Sequence, residues 1–490
     1  MKEKKLRERR QPTLGESVFP LITMFIILLV GKGIFNFKIE VLLLMATAVG
    51  ASVAYRVGLT WDEMLEGISE KIAKALPVIL ILVVVGVVVS TWLLSGTIPM
   101  LIYYGISMIS PKFFYVTAFL ACMVLSTSTG TSWGSIGTIG VVLIVIAQSL
   151  NIPLPIAAGA IVGGSYFGDK MSPLSDTTIL APLVAGADLY DHIRHMFYTT
   201  IPATIFALII YYILGLKIQL DQVTTSGVIA AMQSDLSMIF KFNVIILLIP
   251  VIIILIGSFM QKPTIPVMLL SSTVASFIAV LYQGFSVKNV FTGMVDGFSV
   301  NMVADKGIDV EALLPEVTTL INRGGMMSMM STILLVLCAF SFAGIISKAG
   351  LLDVILNKLL EFVKGTKGLI MSTMAATILM ALTTGSDFLT IMIPGELFAD
   401  AYKQRGLAAR NLSRTLEDCG TCVVALVPWS AAGAYCTGVL GVPTSEYFLY
   451  SFFGFGSILM ALITAMTGFG IMTLAQEQKR KKKLSERMEG

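Results

Sequence analysis

Residues 163–178 read GGSYFGDKMSPLSDTT, and they interrupt a stretch that is strongly apolar on both sides, at 156–162 and 179–184. The interruption carries two carboxylates about two helical turns apart, Asp169 and Asp176, with Pro173 between them to prevent one continuous helix. Acidic residues between two apolar runs are costly inside a membrane. The pattern therefore indicates a functional break in a buried membrane segment.

The composition of the whole chain agrees with a membrane protein. Of the 490 residues, 56% are hydrophobic and 13% are charged, whereas soluble domains carry about 25% charged residues. The net charge is +4, and it collects at the two ends: residues 1–10 hold +4 and residues 477–490 hold +3. This distribution excludes a soluble fold and a nucleic-acid-binding domain, and it indicates two cytoplasmic tails beside anionic membrane lipid.

Apolar runs long enough to cross a bilayer occur almost from end to end, which predicts an all-α polytopic membrane protein of about 12–14 spans. The runs that the sequence delimits most clearly are 17–35, 39–55, 75–95, 196–216, 244–260, 265–281, 328–346 and 448–474. The first run lacks a small-residue cleavage site, so we expect it to remain as a spanning helix rather than to be removed as a signal peptide.

The two halves of the chain resemble each other. The matches keep the same order in both halves: 39–44 with 265–270, 64–69 with 294–299, and Thr129-Gly130 with Thr384-Gly385. Residues 402–414 carry four basic residues, whereas their counterpart 148–156 carries no charge, so the two loops are expected on opposite sides of the membrane. The sequence thus predicts two inverted-topology repeats with discontinuous transmembrane helices.

This repeat sets the predicted organisation of the chain. The chain is predicted to comprise a basic cytoplasmic N-terminal tail (1–16), a first transmembrane repeat (17–217), a linker (218–242), a second inverted repeat (243–474) and a basic cytoplasmic C-terminal tail (475–490).

Two Gly-, Ser- and Thr-rich interruptions lie at matched positions of the repeats: residues 126–134 read STSTGTSWG, and residues 383–387 read TTGSD. Unwound backbone is tolerated in a membrane only when protein or a water-filled cavity satisfies it. Its carbonyls and hydroxyls suit a monovalent cation, and the alternative is that Ser and Thr bond back to the preceding turn. The candidate ligands here are Thr129, Ser132, Thr384, Ser386 and Asp387.

The second half also has a charged interruption, in which residues 411–421 read NLSRTLEDCGT. It offers Glu417, Asp418 and Thr421 as ligands. The alternative is mutual neutralisation of the acids by neighbouring basic residues, in which Arg414 pairs with one of these two acids, and Lys170 pairs with Asp169 or Asp176. Because Na⁺ and H⁺ both neutralise a carboxylate, they compete for it by linkage, and a protein that reorients only when neutralised exchanges one for the other.

Other polar residues have simpler interpretations. Glu396 is expected at a solvated helix end, and His192 and His195 are expected in a solvated cytoplasmic loop, with pH sensing as the alternative. The five cysteines are interpreted as small apolar side chains, and Cys419 and Cys422 lack the second Cys or His pair of a metal site.

Residues 163–178, and residues 411–418 followed by Pro428-Trp429, resemble the signature motifs of the NhaC family of Na⁺/H⁺ antiporters, and the resemblance spans nearly the whole chain. It implies a secondary transporter, and no enzyme or cofactor, in the cytoplasmic (inner) membrane of a bacterium or archaeon. Such a protein exchanges Na⁺ for H⁺ by alternating access and has both termini in the cytoplasm. A homodimer is expected by analogy.

The same resemblance implies roles for individual residues. The ion-binding residues that it implies are Asp169, Ser172, Asp176, Glu417 and Asp418, with Na⁺ at Asp169, Asp176 and Asp418, which are also the candidate proton carriers. Thr177, a hydroxyl next to Asp176, is a further candidate ligand from the sequence itself. Cys419 and Cys422 stand where many relatives are expected to have small polar residues. Since the family includes malate/lactate exchangers, the alternative is Na⁺- or H⁺-coupled transport of a small organic anion or amino acid, with Arg414 or Lys170 meeting its carboxylate.

Overall fold

A computed structural model of the protein describes residues 9–218, 226–260, 262–304, 306–361 and 363–479. Within these ranges the chain is all-helical, and the only extended pairing is an isolated bridge between Leu407 and Thr473. Residues 1–8 and 480–490 of the predicted tails, and 219–225 of the predicted linker, lie outside the described residues.

The helices of the first half are, in chain order, α1 (Leu14–Gly33), α2 (Ile39–Val57), α3 (Trp61–Leu94), α4 (Thr97–Met108), α5 (Phe114–Thr129), α6 (Ser132–Ser135), α7 (Val141–Ser149), α8 (Leu154–Met171), α9 (Asp176–Ala185) and α10 (Leu189–Leu216). A 3₁₀ turn at Pro111–Phe113 precedes α5, and a π-helical turn at Ile136–Gly140 joins α6 to α7.

The helices of the second half are α11 (Ser226–Ile239), α12 (Val244–Phe259), α13 (Thr264–Leu281), α14 (Val287–Asp296), α15 (Asn301–Ala304), α16 (Pro315–Ile321), α17 (Met330–Lys348), α18 (Leu351–Glu361), α19 (Gly365–Thr384), α20 (Asp387–Gln404), α21 (Ala409–Cys419), α22 (Thr421–Val424), α23 (Ala431–Leu440), α24 (Thr444–Tyr447) and α25 (Phe452–Thr467). Two 3₁₀ turns, Met326–Met329 and Phe448–Tyr450, precede α17 and follow α24.

Among the described residues, nine helices are long and apolar enough to cross a membrane, and the count is eleven if each of two bent helix pairs is one span. The protein is therefore a multi-pass membrane protein, with fewer clear spans than the 12–14 predicted. Part of the difference arises because α4 and α18 have only 12 and 11 residues. At about 1.5 Å per residue, neither reaches across a hydrocarbon core of about 30 Å.

Glycines bring the helices that carry the site into close contact. A Cβ atom on Gly164 would lie 2.2 Å from the carbonyl oxygen of Phe119, and one on Gly168 would lie 2.3 Å from the carbonyl carbon of Ser126. The backbones of α5 and α8 therefore touch, as small residues four apart allow in membrane proteins. The Ser126 hydroxyl also accepts a hydrogen bond from the Gly168 amide at 3.1 Å, which fixes the end of α8 relative to α5.

Candidate ion-binding site

Two helices end at glycines in the interior of the protein. Helix α5 ends at Gly130 and α19 ends at Gly385, with φ angles of +72° and +59° that favour glycine. A Cβ on Gly130 would lie 2.6 Å from the Cβ of Leu174, between α8 and α9, and one on Gly385 would lie 3.0 Å from the Cα of Ser430, just before α23. Each helix end thus packs beside the connection between two further helices.

Asp169 lies near the end of α8, 6% exposed, and is held by the start of α6. Its carboxylate accepts hydrogen bonds from the Ser132 backbone amide at 3.0 Å and from the Ser132 hydroxyl. Its backbone carbonyl accepts the Thr177 and Thr178 hydroxyls at 2.9 and 2.5 Å. Asp169 therefore joins the interruption at 126–134 to the α8–α9 connection.

Three carboxylates line one cavity of about 370 Å³: Asp169 from α8, Asp176 from α9 and Asp387 from α20. Asp176 is exposed to this space, and one oxygen of Asp387, Oδ1, is buried with no hydrogen-bond partner among the described residues. The wall also carries the hydroxyls of Thr131, Thr177, Thr264 and Ser386. The cavity thus combines acids from both halves of the chain with hydroxyls, a set of oxygen ligands suited to a hard cation.

A second cavity of about 420 Å³ adjoins the first one, since Asp176, Thr131, Trp133 and Thr264 line both. Tyr435 holds the shared wall in place: its hydroxyl donates to the Trp133 carbonyl at 2.6 Å, and its ring stacks on the Trp133 ring at 4.3 Å between centroids. Asp176 therefore lies at the junction of two open spaces.

The acids of α21 are in a different environment. Lys170 Nζ lies 2.7 Å from Asp418 Oδ1, and both side chains are fully buried. Lys170 also donates to the Ser457 hydroxyl at 2.9 Å, and Thr199 donates to Asp418 at 3.0 Å. The second oxygen of Asp418 has no hydrogen-bond partner among the described residues. Lys170 thus pairs with neither Asp169 nor Asp176, the two partners that the sequence suggested.

Arg414 does not pair with either acid of α21. It donates to the Gly470 carbonyl at 2.9 Å, so its bonding partner is backbone near the C-terminal end of the described chain. Glu417, fully buried, accepts a hydrogen bond from Thr421 at 2.5 Å. The alternative in which Arg414 pairs with Glu417 or Asp418 is therefore not observed, because the Arg414 side chain is directed to residues after α25.

The hydroxyls predicted as ligands divide into two groups. Thr129 donates to the Leu125 carbonyl at 2.9 Å and Thr384 to the Met380 carbonyl at 2.7 Å, which is the back-bonding alternative. Ser172 is buried and accepts the Leu174 amide at 3.3 Å. By contrast, Ser132 binds Asp169, and Thr177 and Ser386 line the acidic cavity.

The interpretation of the histidines as part of a solvated loop was wrong. Asp188 caps the start of α10, so that helix begins at Leu189 and includes both histidines. His192 and His195 are 0% and 2% exposed, and they hydrogen-bond to Ser413 at 2.8 Å and Asn411 at 3.2 Å on α21. They join two helices in the interior.

Sequence reasoning missed two lysines of the acidic cavity, Lys71 and Lys74 on α3, because nothing around them in the sequence distinguishes them from the charged start of a helix.

All five cysteines are buried and free, as predicted. Within the described part of the chain, no group of three His, Cys, Asp or Glu residues is placed to hold a metal ion. A cation at this site would need hydroxyl or carbonyl oxygens as well as carboxylates.

Comparison with known proteins agrees with the resemblance of the two motifs. A model of the Na⁺/H⁺ antiporter family matches residues 164–469. The chain is 43% identical to an uncharacterized Na⁺/H⁺ antiporter of Haemophilus influenzae, over 95% of this chain and 98% of that protein. It is 35% identical to the Na⁺/H⁺ antiporter NhaC of Alkalihalophilus pseudofirmus, over 94% and 97% of the two chains. It is also 32% identical to the malate-2H⁺/Na⁺-lactate antiporter of Bacillus subtilis, over 94% and 96%. The chain therefore belongs to the Na⁺/H⁺ antiporter family, and it is a membrane transporter rather than an enzyme.

Proposed function

We propose that this protein exchanges Na⁺ for H⁺ across the cytoplasmic membrane, and that the two ions compete for the cavity lined by Asp169, Asp176 and Asp387. The observation that carries the proposal is the convergence of three carboxylates from both halves of the chain on one open cavity. The family membership and the Na⁺/H⁺ antiporters among the relatives support the choice of ions.

The proposed chemistry requires no covalent step. Like charges that share a site repel one another, so the three carboxylates favour binding of a cation, either Na⁺ or H⁺. Asp176 is the exposed member and meets the arriving ion, while Asp169 is fixed by Ser132. Binding of one ion displaces the other, and linkage makes the exchange reciprocal.

We assign the open side of the cavity to the cytoplasm. Lys71 and Lys74 line both the acidic cavity and a further cavity whose wall includes Arg9, close to the N-terminus. Since basic residues near membrane spans favour the cytoplasmic side, an opening with this lining is inward-facing. Both termini are then cytoplasmic, as the sequence predicts.

Alternating access follows in this proposal from two inverted repeats, 17–217 and 243–474, that rock about the site. The glycine-terminated helices α5 and α19 support it, because each ends in the interior and packs against the start of another short helix. The homodimer stays a prediction.

Asp418 has a different role from the three carboxylates of the cavity. In this inward-facing state Lys170 is its counter-charge, so Asp169, Asp176 and Asp387 carry the exchanged ions. Asp418 and Glu417 serve as ligands only in a state in which Lys170 has left Asp418. The ion pair thus keeps Asp418 neutralised while the cavity is open.

Flux in proteoliposomes tests the proposal. The full-length protein is reconstituted with a pH dye inside, and Na⁺ or choline is added outside. We expect a Na⁺-dependent pH change in the wild type, lost in Asp176→Asn and retained in the matched control Glu316→Gln, an exposed acid on α16. Exchange by Asp176→Asn at the wild-type rate would refute the assignment, and a signal that requires malate or lactate inside the vesicles would favour coupled transport of an organic solute.

A further inference from the structure

Two lysines of α3 face the acidic cavity without an acidic partner. Lys71 and Lys74 are one turn apart and both line the cavity, and Lys71 is only 7% exposed. Among the described residues neither lysine takes part in an ion pair. The nearest acids of α3, Glu66 and Glu70, are instead bound by Lys348, at 3.1 and 3.0 Å. An ammonium group that lines a cavity without an ion-pair partner attracts an anion that enters the cavity.

The remainder of the wall is apolar in a way that Na⁺ and H⁺ do not require. Val78 and Ile81 lie on the same helix as the lysines, and Phe340 and Phe388 also line the space. The cavity of about 370 Å³ greatly exceeds the volume of one Na⁺ and is in the range of small-molecule pockets. Basic, acidic and apolar side chains that line one cavity match a small amphiphilic solute.

We propose that Lys71, with Lys74 beside it, binds the carboxylate of a small organic anion whose carbon skeleton lies on Phe340 and Phe388. The Na⁺ or H⁺ bound by the carboxylates then occupies the same cavity as the anion. The inference rests on the proposed function, because it takes this cavity as the transport site.

The two basic residues that the sequence suggested for this role are engaged elsewhere. Lys170 is paired with Asp418 at 2.7 Å, and Arg414 donates to the Gly470 carbonyl at 2.9 Å. Neither residue lines the acidic cavity. Lys71 is therefore the buried cation in that wall with which an entering carboxylate can pair.

Binding measurements on the purified full-length protein test this subsite. Malate and lactate are the organic probes, chloride and phosphate are the inorganic ones, and each is titrated in Na⁺-containing buffer by calorimetry. We expect at least one organic probe to bind the wild type. Lys71→Met should weaken that binding by about 10- to 100-fold, because a charge-assisted hydrogen bond is lost. Lys71→Arg should keep it within a few-fold.

Lys358→Met is the matched control, since this lysine pairs with Glu361 on the surface of α18, away from the cavity. Its affinity for the organic probe should equal that of the wild type, and all variants should share one melting temperature without ligand. Equal affinity in Lys71→Met, or binding of chloride or phosphate but of neither organic probe, would overturn the inference.

The two proposals fail in distinguishable ways. If the wild type moves protons with Na⁺ alone and binds neither organic probe, the anion subsite is refuted and Na⁺/H⁺ exchange stands. If Asp176→Asn exchanges Na⁺ for H⁺ at the wild-type rate, the transport site itself is refuted, and the anion subsite loses its basis.

Discussion

Two acidic stretches that look alike in sequence have opposite surroundings in the structure. In the first, between α8 and α9, Asp176 is exposed to an open cavity and Asp169 lines the same space. In the second, on α21, Asp418 is fully buried against Lys170, and Glu417 is buried with Thr421. Similar motifs therefore do not imply equivalent roles: the first stretch is accessible to ions, and the second is closed by a lysine.

Helix α8 connects the two regions. Asp169 and Lys170 are consecutive, so their side chains point about 100° apart around the helix. One face of α8 thus contributes a carboxylate to the cavity, and the next contributes the counter-charge for α21. Any movement of α8 relative to α21 would change both regions together, which is the coupling that an exchanger needs.

The largest expected effect separates ion exchange from stability. Asp176→Asn should abolish Na⁺-dependent proton flux. The melting temperature of this variant should stay within a few degrees of the wild type, because Asp176 is exposed and forms no ion pair with a basic residue in the described chain. Flux in proteoliposomes and thermal unfolding in detergent measure the two quantities. A large loss of stability would show that Asp176 has a structural role instead.

Lys170→Met, unlike Asp176→Asn, should lower the stability of the protein strongly. It leaves Asp418 buried without its counter-charge, which typically costs about 3–5 kcal/mol. The double variant Lys170→Met/Asp418→Leu should recover most of this loss, because no unpaired charge remains. Thermal unfolding of the three proteins checks this, and equal melting temperatures for the single variant and the wild type would contradict the buried pair.

Disturbing the glycine packing between α5 and α8 should lower stability by a smaller amount. Gly168→Ala places a Cβ 2.3 Å from the Ser126 carbonyl carbon, and overpacking of this kind costs about 1–3 kcal/mol. Gly33→Ala on α1 is the control, since it meets no atom within 4 Å and removes a flexible residue from a helix. If Gly168→Ala unfolds at the same temperature as Gly33→Ala, the close approach of α5 and α8 is wrong.

The smallest effect concerns the wall shared by the two cavities. Tyr435→Phe removes the hydrogen bond to the Trp133 carbonyl and keeps the ring stacking. We expect a loss of about 1 kcal/mol in stability and a modest rise in the Na⁺ concentration for half-maximal exchange. Unchanged Na⁺ dependence would indicate that this wall does not position Asp176.

The apolar parts of many long helices could be predicted from the sequence, because long apolar runs determine them, whereas the short and interrupted helices could not. The runs 39–55 and 265–281 correspond to α2 (Ile39–Val57) and α13 (Thr264–Leu281) within two residues at each end. The acidic residues at 163–178 and the hydroxyl-rich segment 126–134 are recognisable as candidate site residues in the sequence, since polar groups stand out against an apolar background.

The partners of those residues could not be predicted, because they are set by tertiary packing. Lys170 stands beside Asp169 in sequence but pairs with Asp418, 248 positions away. The direction of each side chain around α8 decides the pairing, and local sequence does not reveal which neighbour fills each side. The same holds for Lys71, whose place in the cavity depends on how α3 packs against the second half of the chain.

Proton release on Na⁺ binding tests the central claim most directly. Na⁺ is added to the purified protein in weakly buffered detergent solution, and a pH dye follows the protons released. We expect release that saturates with Na⁺ in the wild type and in Glu316→Gln, is absent with choline, and is lost in Asp176→Asn. Undiminished Na⁺-dependent release by Asp176→Asn would contradict competition of the two ions at the open acidic cavity.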